Sequence, residues 1–254
     1  ISKNVSINKV KRMARKKLVA QRIMSFTTIP SHRLIIKAYY DNMGLMFKST
    51  VVFIVINEED TPPLNYLALC TLLNSKIVSW YAQRFIYTKF FETSKDLDVK
   101  YLKRVKIPNF NSDQTNTLSL LAQYLLFLNS SKDKRQKNKE IIDFFNEVAD
   151  FLLFESYFLN KLYEDPVYTK GDSCLYEYIF KNLTKIPYEE WSKLYWKDRF
   201  QDNIDQKQEL KGLEEKILNT ILKIYEILIN DTKVEEYLGV LKKDKWIQKI
   251  NEIK

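Results

Sequence analysis

An α+β fold is predicted, with a small mixed α/β domain over about residues 1–110 followed by an all-α helical bundle over about 111–254. Three observations predict it. Runs rich in β-branched and aromatic residues are confined to the first half. Segments with a 3.6-residue apolar period fill the second. The charge balance also reverses between the two: residues 1–110 hold 19 Lys/Arg and 7 Asp/Glu, and residues 111–254 hold 22 and 25.

Taken in order, 19–26, 32–40 and 45–57 read as strands. Asp41-Asn42-Met43-Gly44 between the last two is turn chemistry, because Asn and Gly tolerate positive φ, so 32–40 and 45–57 are expected to pair as a hairpin. Residues 57–63 (NEEDTPP) form a polar loop whose prolines can open a helix. One long helix is expected over 64–85, where Leu67, Leu69, Leu72, Leu73, Ile77, Val78 and Tyr81 give a broad apolar face. A loop over 86–95, a short helix over 99–104 and a strand over 105–107, ended by Pro108, complete this half. Helical periodicity then marks 114–128, 137–163, 175–182, 187–200, 204–229 and 234–253, with polar breaks at 129–135, 166–173 and 181–187. Long amphipathic helices with short connections imply a bundle.

Composition narrows the function. The 254 residues are 45% hydrophobic, 29% charged and 14% aromatic, which suits a packed globular chain rather than a disordered one. Four glycines cannot build a glycine-rich phosphate loop, and one histidine with two cysteines excludes zinc fingers and a disulfide scaffold. Two unpaired-looking cysteines fit a reducing, cytoplasmic setting. No apolar run reaches the roughly 20 residues that span a bilayer. The chain opens on Ile1, and ISKNVSINKVKRMARKK reads as a linker arriving from an upstream domain, so a fragment of a longer protein is expected.

No residue set qualifies as catalytic. His32 has no serine or reactive cysteine to serve, since Cys70 falls on an apolar helix face where a thiol is inert. The acids of the second half alternate with lysines at helical spacing, as on a solvated face. Thr61-Pro62-Pro63-Leu64 lacks the amide or carboxylate and the ring that an amino-methyltransferase box needs to hold and stack a flipped base.

The binding signals are stronger. The whole net charge of +9 arises in the first 110 residues, 12 − 3 = 9, which points to a polyanion, nucleic acid before membrane. Lys9-Val10-Lys11-Arg12-Met13-Ala14-Arg15-Lys16-Lys17 is densely basic; as a helix it would align Lys9, Arg12 and Lys16 on one face and Lys11 with Arg15 on another. His32, Arg33, Lys37, Tyr39 and Tyr40, with Lys48, and then Arg84, Tyr87, Lys89 and Lys95, interleave cations with rings, as a DNA-binding face does.

These segments occur in a telling order. LVAQRIMSF (18–26), SHRLIIKAYYDN (31–42), STVVFIVI (49–56), YLALCTLLNSKIVSWYAQRF (66–85) and YLKRVKIPNF (101–110) succeed one another in a pattern that resembles the TaqI-like C-terminal specificity domain. This is the target recognition domain of adenine-N6 DNA methyltransferases and fused restriction-modification enzymes. Leu72-Leu73-Asn74-Ser75 and Leu102–Pro108 carry the resemblance best, which covers about residues 15–110. Helix 142–163 is similar to the closing helix that follows such domains.

The resemblance implies reading of double-stranded DNA. From the basic and aromatic clusters, phosphate contacts are expected from Lys11, Arg12, Arg15, Lys16, Lys89 and Lys103, and base readout from Arg22, His32, Arg33, Lys37 and Arg84. The resemblance also implies that methyl transfer, and the S-adenosylmethionine it needs, belong to an upstream methyltransferase lobe outside this chain, whose parent enzyme is adenine-specific with or without a fused endonuclease. The alternative is a helical protein-interaction module or subunit of a modification or defence complex, whose basic end is incidental. A nuclease with an unrecognised centre is the third reading.

Overall fold

The computed structural model describes residues 7–27, 33–47, 50–56, 65–86, 95–96, 103–162, 165–168, 174–200 and 204–251. It is α+β, with two small antiparallel sheets followed by helices.

Helix α1 (Ile7–Met13) leads into β1 (Lys17–Gln21) and β2 (Ile23–Thr27), which form one strand path broken at Arg22. Strands β3 (Arg33–Ile35) and β4 (Ala38–Asp41) return alongside it, and β5 (Val51–Ile54) lies on the other side of β1. The order is therefore β4-β1-β5 in one sheet and β3-β2-β6 in the other, with β6 (Lys95–Asp96) beside β2.

The hairpin expected between 32–40 and 45–57 is not formed. Both segments pair with β1, Lys17 facing Asp41 on one edge and Gln21 facing Val51 on the other. The turn chemistry at 41–44 is nonetheless real. Asp41 accepts from the backbone N–H of Met43 (2.9 Å) and of Leu45 (2.8 Å), and Gly44 takes φ of +71°. A Cβ on Gly44 would stand 2.3 Å from the Ala14 carbonyl oxygen. The turn thus carries the chain closely past the end of α1 instead of folding it back on β4. The same Asp41 forms an ion pair with Lys17, both side chains fully buried, and the Lys17 ammonium also donates to the Met13 carbonyl at 2.6 Å. This satisfies a charge pair that burial would otherwise make costly.

Across the paired strands, β1–β2 advances five residues from Ala20 to Ser25 while β3–β4 covers three, from Ala38 to Ile35. Two extra residues are thereby accommodated as a bulge centred on Gln21–Arg22, which bends the ladder. Gln21 N–H donates to the Lys37 carbonyl and Arg22 N–H to that of Thr50, each at 3.1 Å.

The long helix expected over 64–85 is three pieces: α2 (Tyr66–Asn74), α3 (Lys76–Tyr81) and a π turn (Ala82–Ile86). Ser75 makes the break, with extended φ/ψ of −75°/155°. Its hydroxyl donates to the Leu72 carbonyl at 2.6 Å and accepts from Val78 N–H at 3.3 Å, so it ends one helix and caps the next. Apolar periodicity runs straight through this point because both helices bury the same side. The expected strand over 105–107 has no strand pairing, and most of the helix expected over 99–104 lies outside the described residues.

The helical half follows its periodicity except over 234–253, expected as one helix, which Asp244 divides by ending one helix and accepting from the backbone N–H of Trp246 and Ile247 at the start of the next. It comprises α4 (Ser112–Leu128), α5 (Lys132–Lys137), α6 (Lys139–Leu162), α7 (Leu175–Asn182), α8 (Tyr188–Phe200), α9 (Ile204–Ile229), α10 (Thr232–Lys243) and α11 (Lys245–Asn251). The polar stretch 129–135 is not purely a break: Ser131 accepts from Lys134 N–H and starts α5. Asn111 and Gln114 form a reciprocal capping box at α4, and Asp231 caps α10. One apolar cluster runs from Leu18 and Leu72 through Leu121, Phe145 and Leu152 to Ile217 and Leu241. It crosses residue 110 where α2 packs on α4; there Thr71 donates to the Leu118 carbonyl at 2.8 Å and Ser119 to the Asn65 side chain at 2.9 Å.

Candidate nucleic-acid interface

The cations of the first half fall into two exposed groups. The first is the exit of α1. Lys11 and Arg12 lie in its last turn, while Arg15 and Lys16 follow after the helix has ended at Met13. The face expected to align Arg12 with Lys16 is thus not helical throughout, because Gly44 packs against Ala14 and the buried Lys17 draws the chain into β1. All four side chains remain exposed, and Lys16 meets Glu189 at 3.3 Å. Such an exposed pair is weak and readily exchanged for a phosphate.

The second group gathers at the bend of the ladder. Arg22 sits in the bulge, and Lys37 is hydrogen-bonded through its carbonyl to the neighbouring Gln21; both side chains are exposed. Arg33 opens β3, paired with Thr27. Strand β3 lies against α3 and the π turn, where Arg84 is exposed. A π turn widens the helix locally and re-aims its side chains. Arg104 donates to the Phe85 carbonyl at 3.2 Å, which sets exposed Lys103 and Arg104 close to Arg84. Arg104 was not among the expected contacts, although the run Lys103-Arg104-Val105-Lys106 signalled it. His32 and Lys89, with Lys48 and Tyr87, lie outside the described residues, as does the Arg33 side chain.

The structure therefore brings together the elements bearing Arg22, Arg33, Lys37, Arg84 and Lys103, and holds Lys11, Arg12, Arg15 and Lys16 apart from them. Lys16 and Arg22 are six residues apart along nearly extended chain, about 20 Å.

Asn74 holds the frame behind these groups. Its side-chain oxygen accepts from Ala38 N–H at 3.0 Å and its amide donates to the Ala38 carbonyl at 2.9 Å, as a neighbouring strand would. The next residue, Lys76, donates its backbone N–H to buried Asp150 at 2.8 Å, and its ammonium lies 3.4 Å from the same carboxylate. Burial pushes the Asp150 carboxyl up to about 6 despite these partners. Asn74-Ser75-Lys76 thus ties β4, α2, α3 and α6 at one place. Cys70, whose thiol burial pushes up to about 12, is part of this packing and is no nucleophile.

Beside this joint opens a cleft of about 1220 Å³. Its lining sets Lys37, Arg135 and Lys139 against Glu140, Asp143 and Asp150, a mixed field rather than a basic trough. Among the described residues no His/Cys/Asp/Glu group could hold a metal, and no helix is long and apolar enough to cross a membrane.

Compared with known protein families, residues 1–107 match the model of the TaqI-like C-terminal specificity domain. Comparisons with curated proteins and with solved structures return no match.

Proposed function

We propose that this chain, whose residues 1–107 match the model of the TaqI-like C-terminal specificity domain, reads sequence in double-stranded DNA for a restriction-modification enzyme. The observation that carries the reading is the coincidence of that match with exposed cations at the ladder bend and the α1 exit. Arg22, Arg33, Lys37 and Arg84 are the base readers, since arginine and lysine can reach two acceptors on guanine in the major groove. His32 belongs with them by its place in the sequence. Lys11, Arg12, Arg15, Lys16, Lys89 and Lys103 grip phosphates and set the register.

The finer reading is an adenine-N6 methyltransferase. Catalysis would come from an upstream lobe that also binds S-adenosylmethionine, with the duplex oriented here so that adenine can flip into that lobe. The residues of this chain do not themselves fit the cofactor: with four glycines in 254 residues there is no glycine-rich loop to hold it.

The test is a titration of duplex DNA against the full chain at several salt concentrations, with selection of preferred sequences from a random pool. Lys11→Ala/Arg12→Ala should weaken every duplex alike and flatten the salt slope by about 2. Arg33→Ala or Arg84→Ala should relax preference at one position, at about 1–3 kcal/mol of discrimination. Wild-type protein without salt-dependent affinity would overturn the proposal. It would favour the interaction-module reading, to which the exposed Ile227, Ile229 and Trp246 belong.

A further inference from the structure

We propose that helix α8, which lies outside the family match, is part of the DNA-gripping surface and extends the cation group at the α1 exit toward the ladder bend. The inference rests on the DNA-reading function proposed above and extends it to the helical half.

Three contacts fix how α8 lies. Glu189 meets Lys16 at 3.3 Å, Ser192 donates to the Asn42 side chain at 2.9 Å, and the Trp196 indole donates to the Tyr39 hydroxyl at 3.3 Å. As α8 advances from 189 to 196, its partners move from the α1 exit to Asn42 and then to Tyr39, which faces Val19 in β1. Seven helical residues rise about 10 Å. From Ser192 to Trp196 the helix rises about 6 Å while its partners step about 10 Å from Asn42 to Tyr39, the long aromatic side chains taking up the difference. The helix therefore runs beside β4 in the direction of the ladder bend. Rings along this seam hold it there: Tyr188 stacks on Tyr40, and Trp196 meets Tyr39 edge-on.

The solvent side of α8 begins with the acids Glu189 and Glu190 and turns to cations toward the bend, with Asp198 half-buried among them. Glu189, Lys193 and Lys197 recur every four residues and so share one stripe. Lys193, Lys197 and Arg199 are exposed, and the Arg199 guanidinium lies over the Tyr195 and Trp196 rings. Glu189, which shares the stripe, is matched by Lys16. Of the roughly 20 Å between Lys16 and Arg22, the first half is thus flanked by a helix whose cations begin one turn after Glu189. Twenty ångströms corresponds to about six base steps of duplex. A grip at the α1 exit and a reading face at the bend would otherwise leave that stretch of phosphates without a partner.

The same salt titration tests this with the full chain. Lys193→Ala/Lys197→Ala, at two exposed positions, should flatten the salt slope by about 2 and weaken binding on the order of tenfold or more near 0.1 M salt. Sequence preference should not change. Lys193→Glu/Lys197→Glu should weaken it further, with unchanged helicity by circular dichroism confirming the fold. If the alanine pair leaves slope and affinity as in the wild type while Lys11→Ala/Arg12→Ala lowers both, α8 does not touch DNA and the proposed function stands. If the wild type itself binds no duplex, the proposed function fails, and this inference with it.

Discussion

At the scale of single residues, buried charge decides the behaviour of two sites. Lys17 and Asp41 are fully buried and paired, so removing one partner strands the other. Lys17→Met should lower the unfolding free energy by about 3–5 kcal/mol. Lys17→Met/Asp41→Leu should recover much of that loss, and chemical denaturation of the two variants checks both. Glu155 is 1% exposed and accepts from the backbone of Leu175 (2.8 Å) and Tyr176 (3.3 Å) at the start of α7. Burial outweighs these bonds and raises its carboxyl from 4.5 to about 7. The folded protein then holds a proton that the unfolded chain releases, so this contribution to stability is full below about pH 4.5 and is lost as pH rises to about 7. Unfolding measured across that range should fall less steeply with pH in Glu155→Gln than in the wild type. Neither site stood out in the sequence. Lys17 is the last cation of a basic run, and nothing in composition separates it from its exposed neighbours; its burial follows from the strand that begins there.

At the scale of elements, periodicity was the legible signal and pairing was not. The helices of the second half are readable within a few residues because each buries one stripe, apart from the break at Asp244, which the shared stripe of its two flanking helices conceals. The strand segments were also readable, but their partners depend on where the Asp41–Gly44 turn sends the chain, and that is set by the approach of Gly44 to Ala14. Gly44→Ala combines positive φ with a 2.3 Å clash and should cost on the order of 2 kcal/mol, measured as a lowered denaturation midpoint. The break at Ser75 was hidden by unbroken apolar spacing, although Asn74-Ser75 carried the family pattern. Their side chains explain that pattern physically: one binds the sheet and the other caps a helix. Asn74→Ala should destabilise by about 0.5–1.5 kcal/mol, since the Ala38 N–H would pass to water and its carbonyl would keep only the Cys70 thiol. The separation of the candidate cations into two groups is not legible in the sequence, because the bulge at Gln21–Arg22 and the end of α1 leave no periodic trace.

At the scale of the whole molecule, the two sequence textures share one apolar cluster. The α2–α4 contact, the Lys76–Asp150 pair and the α8 seam all cross the change in texture. Unfolding should therefore be a single transition. Trp80 reports on the first half, while Trp191, Trp196 and Trp246 report on the second. Denaturation followed by the fluorescence of Trp80 alone, in a chain with the other three replaced by Phe, should coincide with loss of helicity followed by circular dichroism. Two separated midpoints would show that the halves fold independently.

The amide of Asn74 also settles a social question for this protein. A strand margin with free peptide groups invites another polypeptide to lie down beside it, the first step toward fibrils. At Ala38 that invitation is withdrawn, because a side chain already occupies the seat a visiting backbone would take. One asparagine thereby helps a chain whose first half is rich in β-branched and aromatic segments stay clear of its own copies.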